Sequence, residues 1–513
     1  MKFLKVVTFF VITLSLSDNI QCARILGIFY YPGKSHQMSA VTLMKILANR
    51  GHEITVVSPI GEENTPENYR QVVLKEVNEM IPDQIKNYFK LKLHPYIINY
   101  VVTTMMIPLI NSTLSHPKLH DLITTEKFDL VIMEQLFSDG LAYIAHLLDV
   151  PVVYFSAFTD SLVSNPCIGN PAWPSYAPDI YSSYTSEMTF FQRLDNTVIF
   201  VINELIRNLV TLPTQNKMVQ MHFPGAPHIT EYYHRASIVL LNGDLSVNEP
   251  LPKVPGAIDI GGFHIRPSKP LPTDLQDILN TAAQGVIYFS MGGNIKSVDI
   301  PIEKRTMLLN VFSKLKQTVL WKWEADHLPN KSDNIVIRKW LPQNDVLAHK
   351  NVKLFITHAG LHSLLETIYH GVPCLNIPVF VDQLFNAKKT VVGGFGKTIH
   401  FDDISEENLL LAIDELLQNP NYAENAKKRS MIMRDKPMSP ADTIAYWVEY
   451  AIRHKGAEHL KVASLKLYWF QYLLLDVVAF LVLCVLVLIL LMKYSLKIIV
   501  GLLRENRKKS GSK

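Results

Sequence analysis

Cysteine is scarce, with four in 513 residues. Cys22 lies near the start and Cys484 inside a long apolar run. Only Cys167 and Cys374 remain in the body, one in each half. That excludes a disulfide framework. There is no CxxC pair and no His/Cys cluster with metal-ligand spacing, so no metal is expected. A surplus of one charge is missing too. Fifty Lys and Arg face 46 Asp and Glu, for a formal net charge of +4. Outside the C-terminal tail the basic residues do not cluster, so nucleic acid is not an expected partner. No short-period repeat runs through the chain.

The two ends are distinctive. The chain opens MKFLKVVTFFVITLSLS, with Lys2 and Lys5 ahead of a short apolar core at 6–16 and small residues after it. This reads as a secretory signal peptide over 1–22, cleaved between Ser17 and Ala23. A buried first strand is the alternative, and the flanking lysines disfavour it. Near the other end, 472–492 is apolar except for Asp476, about the ~20 residues a helix needs to cross a bilayer. We place the transmembrane helix at 471–492, with Tyr468, Trp469 and Tyr472 at the interface. Lys493, Lys497, Arg504, Arg507, Lys508, Lys509 and Lys513 follow against one acid, Glu505. Positive residues stay cytosolic. The expected topology is a lumenal body, one span and a basic cytosolic tail at 493–513. A lumenal body makes the sequons at Asn111 and Asn330 glycosylation candidates.

Roughly 430 residues between signal and span suggest two domains. The mature chain starts with a strand-like run at 24–30, a polar turn, a helix-like run at 36–49 and a strand at 53–57, which is a βαβ unit. Further strands are expected at 128–133 and 151–155. The stretches 75–115 and 186–222 are mostly helical in pattern and rich in apolar positions. A Pro/Gly-rich segment, 248–273, reads as a linker between an N-terminal domain at 23–247 and a C-terminal domain at 274–460. βα units restart after it, with strands at 286–290, 318–323, 335–339, 352–357 and 373–377. The two halves read as two copies of one architecture.

The most informative segment is 340–387. Trp340 and Gln343 precede the 352–357 strand. That strand ends at His358 and Gly360, and a helix-like run continues to His370. The 373–377 strand leads to Asp382-Gln383. A strand, a Gly-containing turn and a helix N-terminus form an anion site, because free N–H groups and the helix dipole point at the ligand. The turn FSMGGN at 289–294 has the same form.

The segment resembles the signature of the UDP-glycosyltransferases, and the likeness covers nearly the whole chain. FSMGGN resembles the start of that family's donor domain, and 453–480 resembles the juxtamembrane segment of its membrane-bound animal members. The resemblance implies an α/β, GT-B fold: two doubly wound Rossmann-like domains facing a cleft, plus one C-terminal transmembrane helix. It implies a UDP-sugar as co-substrate, no cofactor and no metal. Trp340 would stack on the uracil, an interaction worth ~1–3 kcal/mol per base. Gln343 would bond the uracil or its ribose, and Glu366 both ribose hydroxyls. His358 would donate to the diphosphate as UDP leaves. Gly360, Ser363, Ser290 and Gly292 would surround the phosphates. Asp382 and Gln383 would hold the sugar hydroxyls.

His36 follows a strand and a Gly-containing turn at a helix N-terminus. On spacing alone, such a histidine is more often an ordinary cap or surface residue. The family's catalytic histidine sits at the corresponding turn, which makes His36 the expected general base. Its orienting carboxylate is usually an Asp ending the strand that here reads FDLVIME. That position is Glu134, with Asp139 a nearby substitute. Three more positions depart from the pattern. Ala359 replaces a usual Gly, which matters if the turn needs φ > 0. Gly293 stands where Ser is common, and His362 where the residue is usually small or amidic.

The leading expectation is an inverting hexosyltransferase that conjugates a small lipophilic acceptor, for detoxification, at the endoplasmic reticulum membrane. The details resemble the arthropod branch of the family, which implies UDP-glucose rather than UDP-glucuronate. A membrane-anchored, non-catalytic binding protein is the alternative, resting on Glu134, Ala359 and Gly293. A transferase acting on a lipid or structural glycan is a third. A homo-oligomer stays open.

Overall fold

The computed structural model describes residues 22–80, 89, 94–161 and 163–510, so the expected signal peptide lies outside the described residues except for Cys22. The chain forms two compact units, one ending at Leu460 and one starting at Lys461.

The first unit contains two parallel sheets. One comprises β1 (Arg24–Ile28), β2 (Glu53–Ser58), β3 (Tyr69–Val73), β4 (Leu130–Glu134), β5 (Val152–Ser156), β6 (Ile238–Leu241) and β7 (Ala257–Asp259), in the order β3-β2-β1-β4-β5-β6-β7. The other comprises β8 (Val286–Ser290), β9 (Thr318–Lys322), β10 (Ile335–Arg338), β11 (Val352–Thr357), β12 (Cys374–Asn376) and β13 (Gly396–Thr398), in the order β10-β9-β8-β11-β12-β13. The order reverses between β1 and β4 and again between β8 and β11. Such reversals open the crevices in which doubly wound sheets bind ligands. The central strands explain the architecture. VVYFS, IVLL and VIYFS are continuous apolar runs buried along their whole length, as expected of parallel strands covered on both faces.

The helices used below are α1 (Lys34–Asn49), α2 (Pro95–Leu114), α3 (Phe190–Ile206), α4 (Leu212–His222), α5 (Leu361–His370), α6 (Gln383–Val392) and α7 (Pro440–Arg453). Leu43 and Leu47 of α1 pack with Val153 and Phe155 of β5 in one core cluster. Each fully buried side chain of this kind contributes roughly 1.5–3 kcal/mol relative to an exposed one. A second cluster, with Leu141, Val219 and Tyr232, covers the other face of the same sheet.

Two boundaries differ from the sequence reading. β7 lies inside the 248–273 stretch and forms the edge of the N-terminal sheet. Its Pro- and Gly-rich surroundings disguise it, and an edge strand tolerates such neighbours. At the far end of the C-terminal half, α7 returns to the first domain. Ile444 and Val448 join the cluster of Leu43 and Phe155, so 274–460 is not confined to one domain. Besides β7, three strands went unread in the sequence: β3, β6 and β13, the last only three residues long.

The second unit is dominated by α8 (Leu475–Ser510). Its 30-residue stretch Leu475–Arg504 is long and apolar enough to cross a membrane, with none of that window buried. The helix starts after the expected 471 and runs unbroken through the basic stretch beyond 492. Pro95–Leu114 and Phe190–His222 also have the length and composition of spans. Both belong to the folded body, and α3 turns Phe190, Phe191, Leu194 and Leu205 outward.

A chain ending at Leu460 should appear in the soluble fraction after carbonate and salt washes. Retention in the membrane pellet would show that the apolar face of α3 is itself enough to hold the body there.

Candidate active site

β1 and β4 are neighbours, with Ile28 opposite Met133. The residues leaving their carboxyl ends therefore converge. After β1 the chain turns through Pro32-Gly33 into α1. A Cβ on Gly33 would overlap the Tyr31 ring as it stands, so glycine lets the ring pack against this turn. Gln37 Nε2 fixes it by donating to the carbonyls of Phe29 (3.2 Å) and Tyr31 (2.5 Å). His36 lies in the first turn of α1. Its Nδ1 forms a short hydrogen bond with Glu134 Oε1, the carboxylate that ends β4. Glu134 is 1% exposed. The edges of Tyr31 and Phe158 hold the imidazole, with ring centroids 4.8 and 5.6 Å away. Nδ1 donating to the carboxylate leaves the Nε2 lone pair for a proton.

Asp139 is engaged elsewhere. It forms an ion pair with Arg207 at 3.1 Å and accepts from Gln135 Nε2 at 3.1 Å. Both carboxylates are buried, but only Glu134 reaches His36. Glu134 ends the strand beside β1, whereas Asp139 lies five residues further on, paired with Arg207.

The second crevice opens between β8 and β11. His358 leaves the end of β11, packed between two glycines. A Cβ on Gly292 or on Gly360 would overlap its ring. Burial and the nearby Lys322 push His358 down to about 4, so the ring is neutral near pH 7 and carries one N–H to offer. Gly360 is the N-cap of α5, whose N-terminus carries no side-chain cap and so leaves N–H groups for an anion. Ser290 is 1% exposed, and its Oγ accepts from Gly292 N at 3.2 Å. It shapes the turn's backbone.

Trp340 is 70% exposed and offers an open ring face, with Lys322 Nζ 5.8 Å from its centroid. It is not a core aromatic. Gln343 accepts from Tyr288 Oη at 3.1 Å and donates to Ser363 Oγ at 2.9 Å and Glu366 Oε2 at 2.5 Å. Ser363 thus lies with Gln343 and Glu366 rather than beside His358. Burial pushes Glu366 up to about 7. Asp382 begins α6 and accepts from Asn386 Nδ2 at 2.6 Å; burial raises its carboxyl above the usual range. Gln383 spends its carbonyl on the backbone N–H groups of Val379 (2.8 Å) and Phe380 (3.0 Å). Its amide nitrogen makes no hydrogen bond to the protein among the described residues.

Ala359 has φ = +64°, so the turn does need the left-handed conformation. Alanine bears a strain there that glycine avoids. Asn386 Nδ2 braces the turn by donating to the Ala359 carbonyl at 3.1 Å. Of the two sequons, Asn330 is exposed in a turn at φ = +61°. Asn111 lies in the last turn of α2, with its carbonyl oxygen 2.9 Å from His222 Nε2. Cys167 and Cys374 are buried thiols pushed up to about 12 by burial, which makes them inert.

Two residues of the donor crevice escaped the sequence reading. Lys322 ends β9 and donates to the Gly292 carbonyl at 2.9 Å. A lone lysine closing the apolar strand TVLWK was its signal. Asn294 closes the FSMGGN turn and reaches across to α1, with Oδ1 3.1 Å from Lys34 N. This contact brings the two crevices face to face.

A buried histidine–carboxylate pair at one switch point, opposed to an uncapped helix N-terminus at the other, fits a GT-B glycosyltransferase. Solved structures agree on the fold. The kitacinnamycin glycotransferase matches with a TM-score of 0.58 at 16% identity, over 84% of this chain and 98% of its own. A UDP-glucosyltransferase from Polygonum tinctorium matches with a TM-score of 0.56 at 16% identity, over the same shares. Residues 28–510 match the family described as UDP-glucoronosyl and UDP-glucosyl transferase, and the chain belongs to that family. UDP-glycosyltransferase UGT5 of Dactylopius coccus is 37% identical over 93% of this chain and 92% of its own. UDP-glucosyltransferase 2 of the same insect is 34% identical over 97% and 96%. Human UDP-glucuronosyltransferase 2B7 is 30% identical over 88% of each.

Two outcomes are expected. Glu134→Ala should lower kcat by about 10²-fold or more with little change in donor KM. Glu134→Asp, shorter by about 1.5 Å, should fall between Ala and wild type. Asp139→Asn should spare kcat but cost about 3 kcal/mol of stability by unpairing Arg207. A critical Asp139 with a dispensable Glu134 would reverse the assignment. Separately, Ala359→Gly should stabilise the protein by about 1 kcal/mol; an unchanged or lower melting temperature would show the turn to be unstrained.

Proposed function

We propose that the enzyme transfers glucose from UDP-glucose to a hydroxyl of a small lipophilic acceptor, with inversion at the anomeric carbon. The observation that carries this reading is the buried His36–Glu134 pair beside the donor crevice. His36 Nε2 takes the acceptor's hydroxyl proton while Glu134 steadies the resulting imidazolium. The acceptor oxygen attacks the anomeric carbon in line, and the bond to UDP breaks on the opposite side. The electron pair leaves with the diphosphate toward the His358 N–H and the N-terminus of α5. One in-line displacement inverts the centre.

Trp340 offers the uracil its open face. Glu366, beside Gln343, accepts from the ribose hydroxyls. Asp382 and the Gln383 amide meet the sugar. The Dactylopius coccus relative named for glucosyl transfer, at 34% identity, favours glucose over the glucuronate named for the 30% identical human relative. An apolar wall of Ile98, Ile180 and Tyr181, packed with Val381 and Phe385 beside Asp382, favours a lipophilic acceptor. The apolar α8 with its basic end favours a single-pass anchor in the endoplasmic reticulum membrane, with a lumenal body. Such a placement suits detoxification by conjugation.

Membranes given labelled UDP-glucose or UDP-glucuronate with a panel of phenols and flavonoids should form a glucoside and release UDP, with UDP-glucose preferred. His36→Ala should abolish transfer while UDP still binds. No UDP release with any acceptor would favour a non-catalytic binding protein, and transfer only to lipid extracts would favour a lipid glycosyltransferase. The raised Glu366 adds a pH dependence. Ribose hydroxyls donate to its carboxylate, so UDP affinity should rise as pH rises through about 7 and a proton should be released on binding. Glu366→Gln should flatten that profile, and a profile identical in wild type and Glu366→Gln would remove Glu366 from the ribose site.

A further inference from the structure

Helix α1 carries His36, yet its own sequence does not cap it. Gly33 stands at the N-cap without a side-chain bond, and the first turn holds no acid. The first N–H groups of a helix need acceptors from outside. Here one comes from the other domain. Asn294 Oδ1 accepts from Lys34 N at 3.1 Å, and Asn294 Nδ2 reaches Ser35 Oγ at 3.4 Å. The turn carrying Asn294 lies directly on α1, since a Cβ on Gly293 would meet Lys34 Cβ at 3.8 Å.

A second side chain arrives one helical turn further on. His362 Nε2 lies 2.8 Å from Ser39 Oγ. Ser39 is fully buried and follows His36 by three residues, so the two share a face of α1. His362 sits in the first turn of α5, four residues after His358. His264 stacks on it, with centroids 4.3 Å apart and planes 20° from parallel. Burial pushes His264 down to about 4 and His362 well below its ordinary value, so two neutral rings stack without repulsion. The His362 ring is therefore committed to α1 and to His264 rather than turned into the donor crevice.

We propose that Asn294 and His362 are cross-domain positioning residues that together hold α1, and with it His36, in register with the donor domain. This rests on His36 as the base and on the turns at 290–294 and 358–363 as the diphosphate cradle. Neither residue touches a reacting atom. Each belongs to a turn that meets the phosphates and reaches past them to the helix of the base. The base is aligned only while those contacts are in place.

The test uses the full-length enzyme in membranes, with active sites counted by UDP binding. Asn294→Ala and His362→Leu should each lower kcat about tenfold, or ~1.4 kcal/mol, with KM for the UDP-sugar within about twofold. The double variant should lose more than the hundredfold product, because either contact alone still holds the helix. Asn294→Asp keeps an acceptor for Lys34 N–H and should recover most of the loss. The proposal is overturned if kcat is unchanged in both single variants, if the loss lies in donor KM or in UDP binding, or if Asn294→Asp is as slow as Asn294→Ala. His36→Ala, measured alongside, separates the two ideas. If it stays active, the assigned base is wrong. If it is inactive while Asn294→Ala and His362→Leu run at the wild-type rate, only the positioning role fails.

Discussion

Much of this structure is arranged around one buried contact, the hydrogen bond between His36 Nδ1 and Glu134 Oε1. A carboxylate that is 1% exposed is costly to bury without a partner. Its partner comes from a different strand and a different helix. The bond therefore requires β1 beside β4 in the observed register, the glycine turn that aims α1, and the aromatic edges that hold the ring. The second carboxylate oxygen, Oε2, has no hydrogen-bond partner among the described residues. Unsatisfied polarity of this kind is rare in a core. Here it belongs to the carboxylate that holds the His36 imidazole.

The donor crevice follows a different rule. Its polar groups are already bonded to one another. Gln343 holds Ser363 and Glu366, Asn386 holds Asp382, and Gln383 holds its own loop. A ligand entering this crevice would exchange bonds rather than create them. What the arrangement provides is placement, since side chains fixed before the ligand arrives need no reorganisation in the transition state. A ligand lacking the matching hydroxyls would leave those buried groups unpaired, which is a strong source of discrimination.

Packing around His358 shows how tightly backbone and chemistry are joined. Gly292 and Gly360 press on the two sides of the ring, and any side chain there would displace it. Between them the chain accepts a left-handed alanine at 359, braced by Asn386. Alanine keeps the left-handed turn at a cost in energy. Asn386 also holds Asp382, so the brace of the turn and the partner of that carboxylate are one side chain.

Much of this was legible in the sequence. Continuous apolar runs such as VVYFS and VIYFS set the parallel strands, because burial on both faces leaves no polar alternation. Pro-Gly before α1, and Gly360 before α5, marked the ligand-facing turns. Local patterning carries that information, since strand, turn and helix signals are each a few residues long. Partner choice is not local. The same few residues hold Glu134 and Asp139, both buried, and nothing in that stretch says which meets His36. Only the register of β1 on β4 and the approach of Arg207 from 68 residues away decide it. The three-residue β7 hid among prolines because an edge strand needs little propensity of its own. Asn294 looked like an ordinary turn residue, and His362 stood out only as a departure from the family's pattern, with no partner in view. They meet Lys34 and Ser39 across sequence separations of 260 and 323 residues, and contacts at that range exist only once two independently patterned domains have closed on each other.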